Sequence, residues 1–181
     1  TLFRSFYMTS SAKYVRKIPF IDYAWELYED PLTFSNYTII HELMHSSQEN
    51  CIKCSNLSRN STKDSSNSII TAVLYGKLKY NIVNFVRNLR SVGCNAKILF
   101  FTESTLYNEF SELEKQTMND CGAVLWKFDF VNRPDDARTF KLVPVQILLE
   151  AYSHLFSHIL VCDIYDTYFQ NICLIQFLFR K

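Results

Sequence analysis

Two acidic residues, Asp163 and Asp166, stand in the string CDIYDTYFQ, directly after the apolar run HILVC. Two carboxylates three residues apart at the end of a strand can share a hard cation. Mg²⁺ and Mn²⁺ favour one or two carboxylates, with phosphate oxygens filling the remaining positions. Such a cation offsets the charge of a diphosphate and acts on it as a Lewis acid. A second group is His41, Glu42 and His45, in the string HELMH. Residues four apart on a helix share a face, so both imidazoles can hold one Zn²⁺ while Glu42 activates a metal-bound water. A zinc hydrolase built on this string needs a third ligand on a nearby helix. A polar, Ser- and Asn-rich stretch from Ser46 to Ser68 follows instead, and only about 40 residues precede the motif.

The cysteines are Cys51, Cys54, Cys94, Cys121, Cys162 and Cys173. Cys51 and Cys54 form a lone C-x-x-C, which either completes a zinc site with His41 or His45 or oxidises to disulfide. Cys162 ends an apolar run and reads as a buried, inert thiol. His154 and His158 are four apart but straddle a helix end, and read as structural. Three N-x-S/T sequons cluster at Asn36, Asn56 and Asn60. They point to a glycoprotein of the secretory pathway.

The elements that position these residues are legible after Ser68. Ile69 to Tyr75 is a short β-rich apolar run, the mark of a buried strand. Leu78, Ile82, Phe85, Val86 and Leu89 then recur at helical spacing, and Gly93 stands where a helix ends. Ala96–Phe101 predicts a second strand, Leu106–Asn119 a second helix closed by Gly122, and Ala123–Phe128 a third strand. Asp135–Tyr152 is helical, with an interruption expected at Pro144, and His158–Cys162 is a fourth strand. Strands alternating with helices imply a Rossmann-like α/β domain, with a mostly parallel sheet and flanking helices, over residues 68–181. Residues 1–67 are expected to form an irregular or helical extension, a stem with a polar loop. Ligands of such sheets bind beyond the carboxyl ends of the strands, where Asp163 and Asp166 stand.

Composition narrows the function classes. The 181 residues include 19 Lys and Arg against 18 Asp and Glu, a formal charge of +1, so no basic field exists for nucleic acid. Only 3 glycines are present, which excludes both G-x-G-x-x-G and the P-loop. Dinucleotide dehydrogenase and P-loop NTPase readings therefore fail. No apolar run of about 20 residues occurs, so no transmembrane segment is expected within this chain.

The strings IITAVLYG, NFVRNLRSVGCNAKILFFTE, CGAVLWKFD, the pair Ala137-Arg138, and HILVCDIYDTYFQ occur in that order. Together they resemble the nucleotide-binding half of a GT-A-type glycosyltransferase, a nucleotide-diphospho-sugar transferase. The resemblance covers about residues 68 to 171. It implies that Asp163 and Asp166 hold Mn²⁺ or Mg²⁺ on the diphosphate. It also implies that Val73, Tyr75 and Asp129 lie near the nucleotide, and that Arg138 faces the sugar-nucleotide. The implied activity is transfer of a sugar from a nucleotide-sugar donor to a glycan, protein or lipid acceptor. Two features depart from the family's pattern. Tyr165 occupies the place of the Arg in D-x-R-D, and the chain ends at Lys181, without the further hundred or so residues that carry the acceptor site. A non-catalytic nucleotide-binding half is therefore a third expectation, beside the transferase and the zinc hydrolase.

Overall fold

A computed structural model describes residues 7–9, 37–52, 66–74, 81–128 and 137–164, with backbone alone at 7–9, 37 and 137–142. Four parallel strands form the centre of the sheet: β2 (Ser68–Leu74), β3 (Lys97–Glu103), β4 (Ala123–Phe128) and β5 (His158–Val161). A short strand at the other end of the chain, β1 (Tyr7–Thr9), adds antiparallel to β5, giving the order β1-β5-β2-β3-β4. The helices are α1 (Tyr37–His45), α2 (Ile82–Ser91), α3 (Ser104–Tyr107), α4 (Glu112–Asp120) and α5 (Ala137–Tyr152); a single 3₁₀ turn, Ser153–Leu155, follows α5. The expected α/β fold with a parallel sheet is therefore the observed one.

The pleat divides the core. Ile70, Ala72 and Leu74 of β2, Ile98 and Phe100 of β3, Ala123 of β4 and Leu160 of β5 point to one face. There they meet Phe85, Val86 and Leu89 of α2 and Met118 of α4. Ile69, Val73, Leu99, Phe101, Val124, Trp126 and Ile159 point to the other, against Ile40 and Leu43 of α1 and Val143, Ile147 and Leu148 of α5. Because side chains alternate along a strand, a central strand covered on both faces must be largely apolar, as the fully buried SIITAVL of β2 is, with Ser68 and Thr71 its polar members.

Three local results differ from the sequence reading. The expected helix over Leu106–Asn119 is two helices. Ser111 Oγ accepts from the Glu114 amide at 3.3 Å while Glu114 Oε2 accepts from the Ser111 amide at 2.9 Å, a reciprocal cap that starts a new helix. Pro144 lies inside α5 and does not end it. The proline deletes one helical hydrogen bond, and the burial of Val143, Val145, Ile147 and Leu148 around it holds the helix on the sheet. The helix carrying HELMH is not peripheral to the sheet: Leu43 is fully buried, and α1 lies on β3 and β4.

The amino ends of the strands are tied together. Arg90 of α2 is 3% exposed and donates to three carbonyls, those of Cys121 at 3.0 Å, Cys94 at 2.9 Å and Ala96 at 2.8 Å. These carbonyls lie in the segments that enter β3 and β4. Burial lowers the Arg90 pKa to about 10, which leaves it charged at neutral pH. Lys97, the first residue of β3, donates to the Met44 carbonyl at 2.8 Å and so caps the end of α1. A disulfide joins Cys51 to Cys121 across 70 residues, and Cys94 is disulfide-bonded as well. Cys51 thus pairs outside its C-x-x-C. On chain entropy alone, a loop of that length is worth about 4 kcal/mol against the unfolded state.

Gly122 sits between this disulfide and β4 with φ +65, and a Cβ there would stand 2.6 Å from the Ser47 carbonyl oxygen. Left-handed backbone and close approach both demand glycine. Gly122→Ala is expected to destabilise the fold by about 2 kcal/mol, lowering Tm by roughly 4–8 °C. Thermal unfolding under non-reducing conditions measures this; an unchanged midpoint would show that Ser47 does not pack there.

Candidate functional site

The carboxyl edge of the sheet holds a topological switch point. From β2 the chain steps outward through β3 to β4, with α2 and α4 on one face. It then returns through α5, on the opposite face, to β5 on the far side of β2. In open α/β sheets this reversal marks the ligand crevice, outside the carboxyl ends of the two strands that flank it. Here those strands are β2 and β5.

Asp163 stands at that place. Thr71 pairs with Val161, and the Cys162 amide extends the ladder by donating to the Thr71 carbonyl at 2.8 Å. Two residues on in the same register are Val73 and Asp163. Asp163 is half-buried, and Ile164 behind it is 3% exposed in the α2 face of the core. Burial of Ile164 therefore fixes the backbone that presents Asp163. Sequence reading missed this anchor; its signal is the lone aliphatic residue directly after the first acid of the motif. Glu103, at the end of β3, adds a further carboxylate to the same edge.

The remaining expected site residues divide as follows. Val73 is 8% exposed and faces the α1–α5 side of the core, so only its position near the end of β2 brings it to the edge. Tyr75, Asp129 and Asp166 lie outside the described residues, as does the side chain of Arg138, whose backbone is in the first turn of α5. Among the described residues no group of three or more His, Cys, Asp or Glu is placed to hold a metal ion.

The HELMH residues lie at the opposite end of the sheet, where α1 ends above the amino ends of β3 and β4. His41, Glu42 and His45 are all exposed. The two imidazoles stack with centroids 4.2 Å apart, and His45 Nδ1 lies 2.8 Å from the His41 carbonyl oxygen. His45 and Glu42 border a groove of about 330 Å³, whose other lining residues include Glu49, Asn50, Asn119 and Asp120. The motif and Asp163 thus lie at separate places. The sequons at Asn36, Asn56 and Asn60, together with Cys54 and Cys173, lie outside the described residues. No described helix is long and apolar enough to cross a membrane.

No protein-family model matches the chain, and neither a curated protein nor a solved structure shows significant similarity to it.

Cys162 separates the ladder from Asp163. Its thiol is free, and its pKa is raised to about 12, first by burial and then by the neighbouring Asp163 carboxylate. A raised thiol pKa means that the folded protein holds its proton through the range, above about 9, in which the unfolded chain loses it. Only the thiolate is nucleophilic, so Cys162 is not a nucleophile at neutral pH. Alkylation by iodoacetamide at pH 8 is expected to be on the order of a thousandfold slower in the native protein than in denaturant. Mass mapping of the labelled peptide measures this, and rapid native labelling of Cys162 would contradict the assigned environment.

Proposed function

We propose that the chain is a nucleotide-diphosphate-binding α/β domain that serves sugar transfer from a nucleotide-sugar donor. The observation that carries this reading is the position of Asp163, two residues past the last β2–β5 pair at the switch point of a parallel sheet. Asp163 and Asp166 hold Mn²⁺ or Mg²⁺ in this reading; when bound, the ion supplies the positive charge that a diphosphate leaving group needs. Asp163 presents its carboxylate from a backbone pinned by Ile164. The end of β2 takes the base, and Arg138 meets the sugar-nucleotide.

In this reading the acceptor is a glycan, a protein or a lipid. The disulfide between Cys51 and Cys121 supports an oxidising compartment such as the Golgi lumen. The sequons at Asn36, Asn56 and Asn60 point the same way.

Calorimetric titration with nucleoside diphosphates and nucleotide sugars, with and without Mn²⁺, tests the reading. Binding is expected only with the ion, and Asp163→Asn or Asp166→Asn should each weaken it tenfold or more, about 1.4 kcal/mol. Affinity that is equal without the ion, or indifferent to both substitutions, rejects the metal role. Binding with no transfer to any acceptor marks a nucleotide-binding half that does not itself catalyse.

A further inference from the structure

Arg90 and the Cys51–Cys121 disulfide hold neighbouring places by different chemistry. Arg90 donates to the carbonyls of Cys121, Cys94 and Ala96. Those bonds involve no sulfur, so they tie α2 to the segments entering β3 and β4 whatever the state of the cysteines. The disulfide instead fastens residues 46–52, the strap that trails from α1, to the residue just past α4. Hydrogen bonds within the strap are local. Ser46 donates its amide and its Oγ to the Leu43 carbonyl, the Glu49 amide donates to Ser47 Oγ, and the Cys51 amide donates to the Gln48 carbonyl.

The strap and the end of α4 are also two walls of the groove of about 330 Å³. Ser47, Glu49 and Asn50 line one side, and Asn119 and Asp120 the other. The bridge therefore fastens one wall to the other. Glu49 and Asp120 carry like charge, which works against closure.

The two cysteines of the bridge differ. Cys51 is half-buried and its neighbour Ile52 is 63% exposed, whereas Cys121 is 1% exposed. An attacking thiolate reaches the Cys51 side. Cys121 then departs as thiolate, in the residue whose carbonyl accepts from Arg90 Nε at 3.0 Å. A neighbouring guanidinium favours a thiolate, and a thiol that ionises more readily leaves faster.

We infer that the Cys51–Cys121 bond is a redox latch: a dithiol opens it, releasing the strap 46–52 and widening the groove while the sheet stays folded. The dithiol's thiolate bonds to Cys51 Sγ, the Cys51–Cys121 bond breaks, and its electron pair leaves on Cys121 Sγ. The dithiol's second sulfur then bonds to its first and expels the Cys51 thiolate. The dithiol's two protons end on the two cysteines. The dithiol is oxidised to a disulfide, and the protein's bridge is reduced by the same two electrons. The oxidised reagent closes the latch by the same steps in reverse.

The test uses the full oxidised chain without denaturant. Dithiothreitol should open the bridge, and hydrogen exchange in residues 46–52 should rise on the order of tenfold or more while the amides of α2 and β3 keep their protection. Glutathione, quenched with acid and mapped by mass, should be found on Cys51 and not on Cys121. Cys51→Ser/Cys121→Ser, which leaves Cys94 in its own bridge, should show the same loosened strap with no reductant present. Reduction that occurs only once the chain unfolds overturns the inference, as does loss of protection in β3 equal to that in the strap. Glutathione on Cys121 overturns the order of steps. A strap that exchanges as slowly after reduction, or in the double variant, as in the oxidised chain shows that the bond is not its latch.

Discussion

The handedness of the connection between parallel strands is the constraint on which this fold depends. A right-twisted strand feeding a helix that returns to the same sheet does so right-handedly in nearly every case. With that fixed, the direction in which the chain steps decides which face each helix covers. Two steps outward, β2 to β3 and β3 to β4, put α2 and α4 on one face. The step back to β5 puts α5 on the other. Both faces are then covered, the middles of β2 and β3 must be largely apolar, and the reversal leaves its crevice at the ends of β2 and β5. The strand order puts Asp163 at this edge, and the packing of Ile164 then fixes its backbone.

At the amino end, a buried guanidinium, a disulfide, a lysine cap and a glycine contact all converge on the segments entering β3 and β4. Burying Arg90 costs several kcal/mol of hydration, which three carbonyl acceptors offset in part. A cation satisfied only by backbone carbonyls specifies geometry, because those carbonyls are fixed to three chain positions at once. At the carboxyl end the described residues include Glu103 and Asp163 at strand termini.

The fold after Ser68 was legible because it rests on period and punctuation. Apolar runs of four to seven residues gave the four strands, and Gly93 and Gly122 do sit at positive φ just past helix ends. The split at Ser111 was also written in the chain, as Ser111-x-x-Glu114, but continuous apolar spacing across it suggested one helix. Other features could not be read. β1 is three residues long, too short for any alternation, and only its pairing with β5 makes it a strand. Cys51 reaches Cys121 because Gly122 lets the Ser47 backbone come close, a tertiary fact with no trace in cysteine spacing. The part of the site that was legible, Asp163 after a buried strand, is set by topology. The fixing of its backbone by Ile164 depends on packing, which no spacing rule states.

Charge at the carboxyl edge sets what the proposed site must do. The described groups nearest the strand ends are carboxylates, Glu103 and Asp163. Lys127, the exposed cation of β4, has its ammonium 3.4 Å from the centre of the Tyr107 ring and is engaged there. In the proposed reading, the ion on Asp163 and Asp166 meets the charge of the diphosphate. Ion and nucleotide then bind as coupled ligands, each raising the affinity of the other by the same factor, since that reciprocity is thermodynamic.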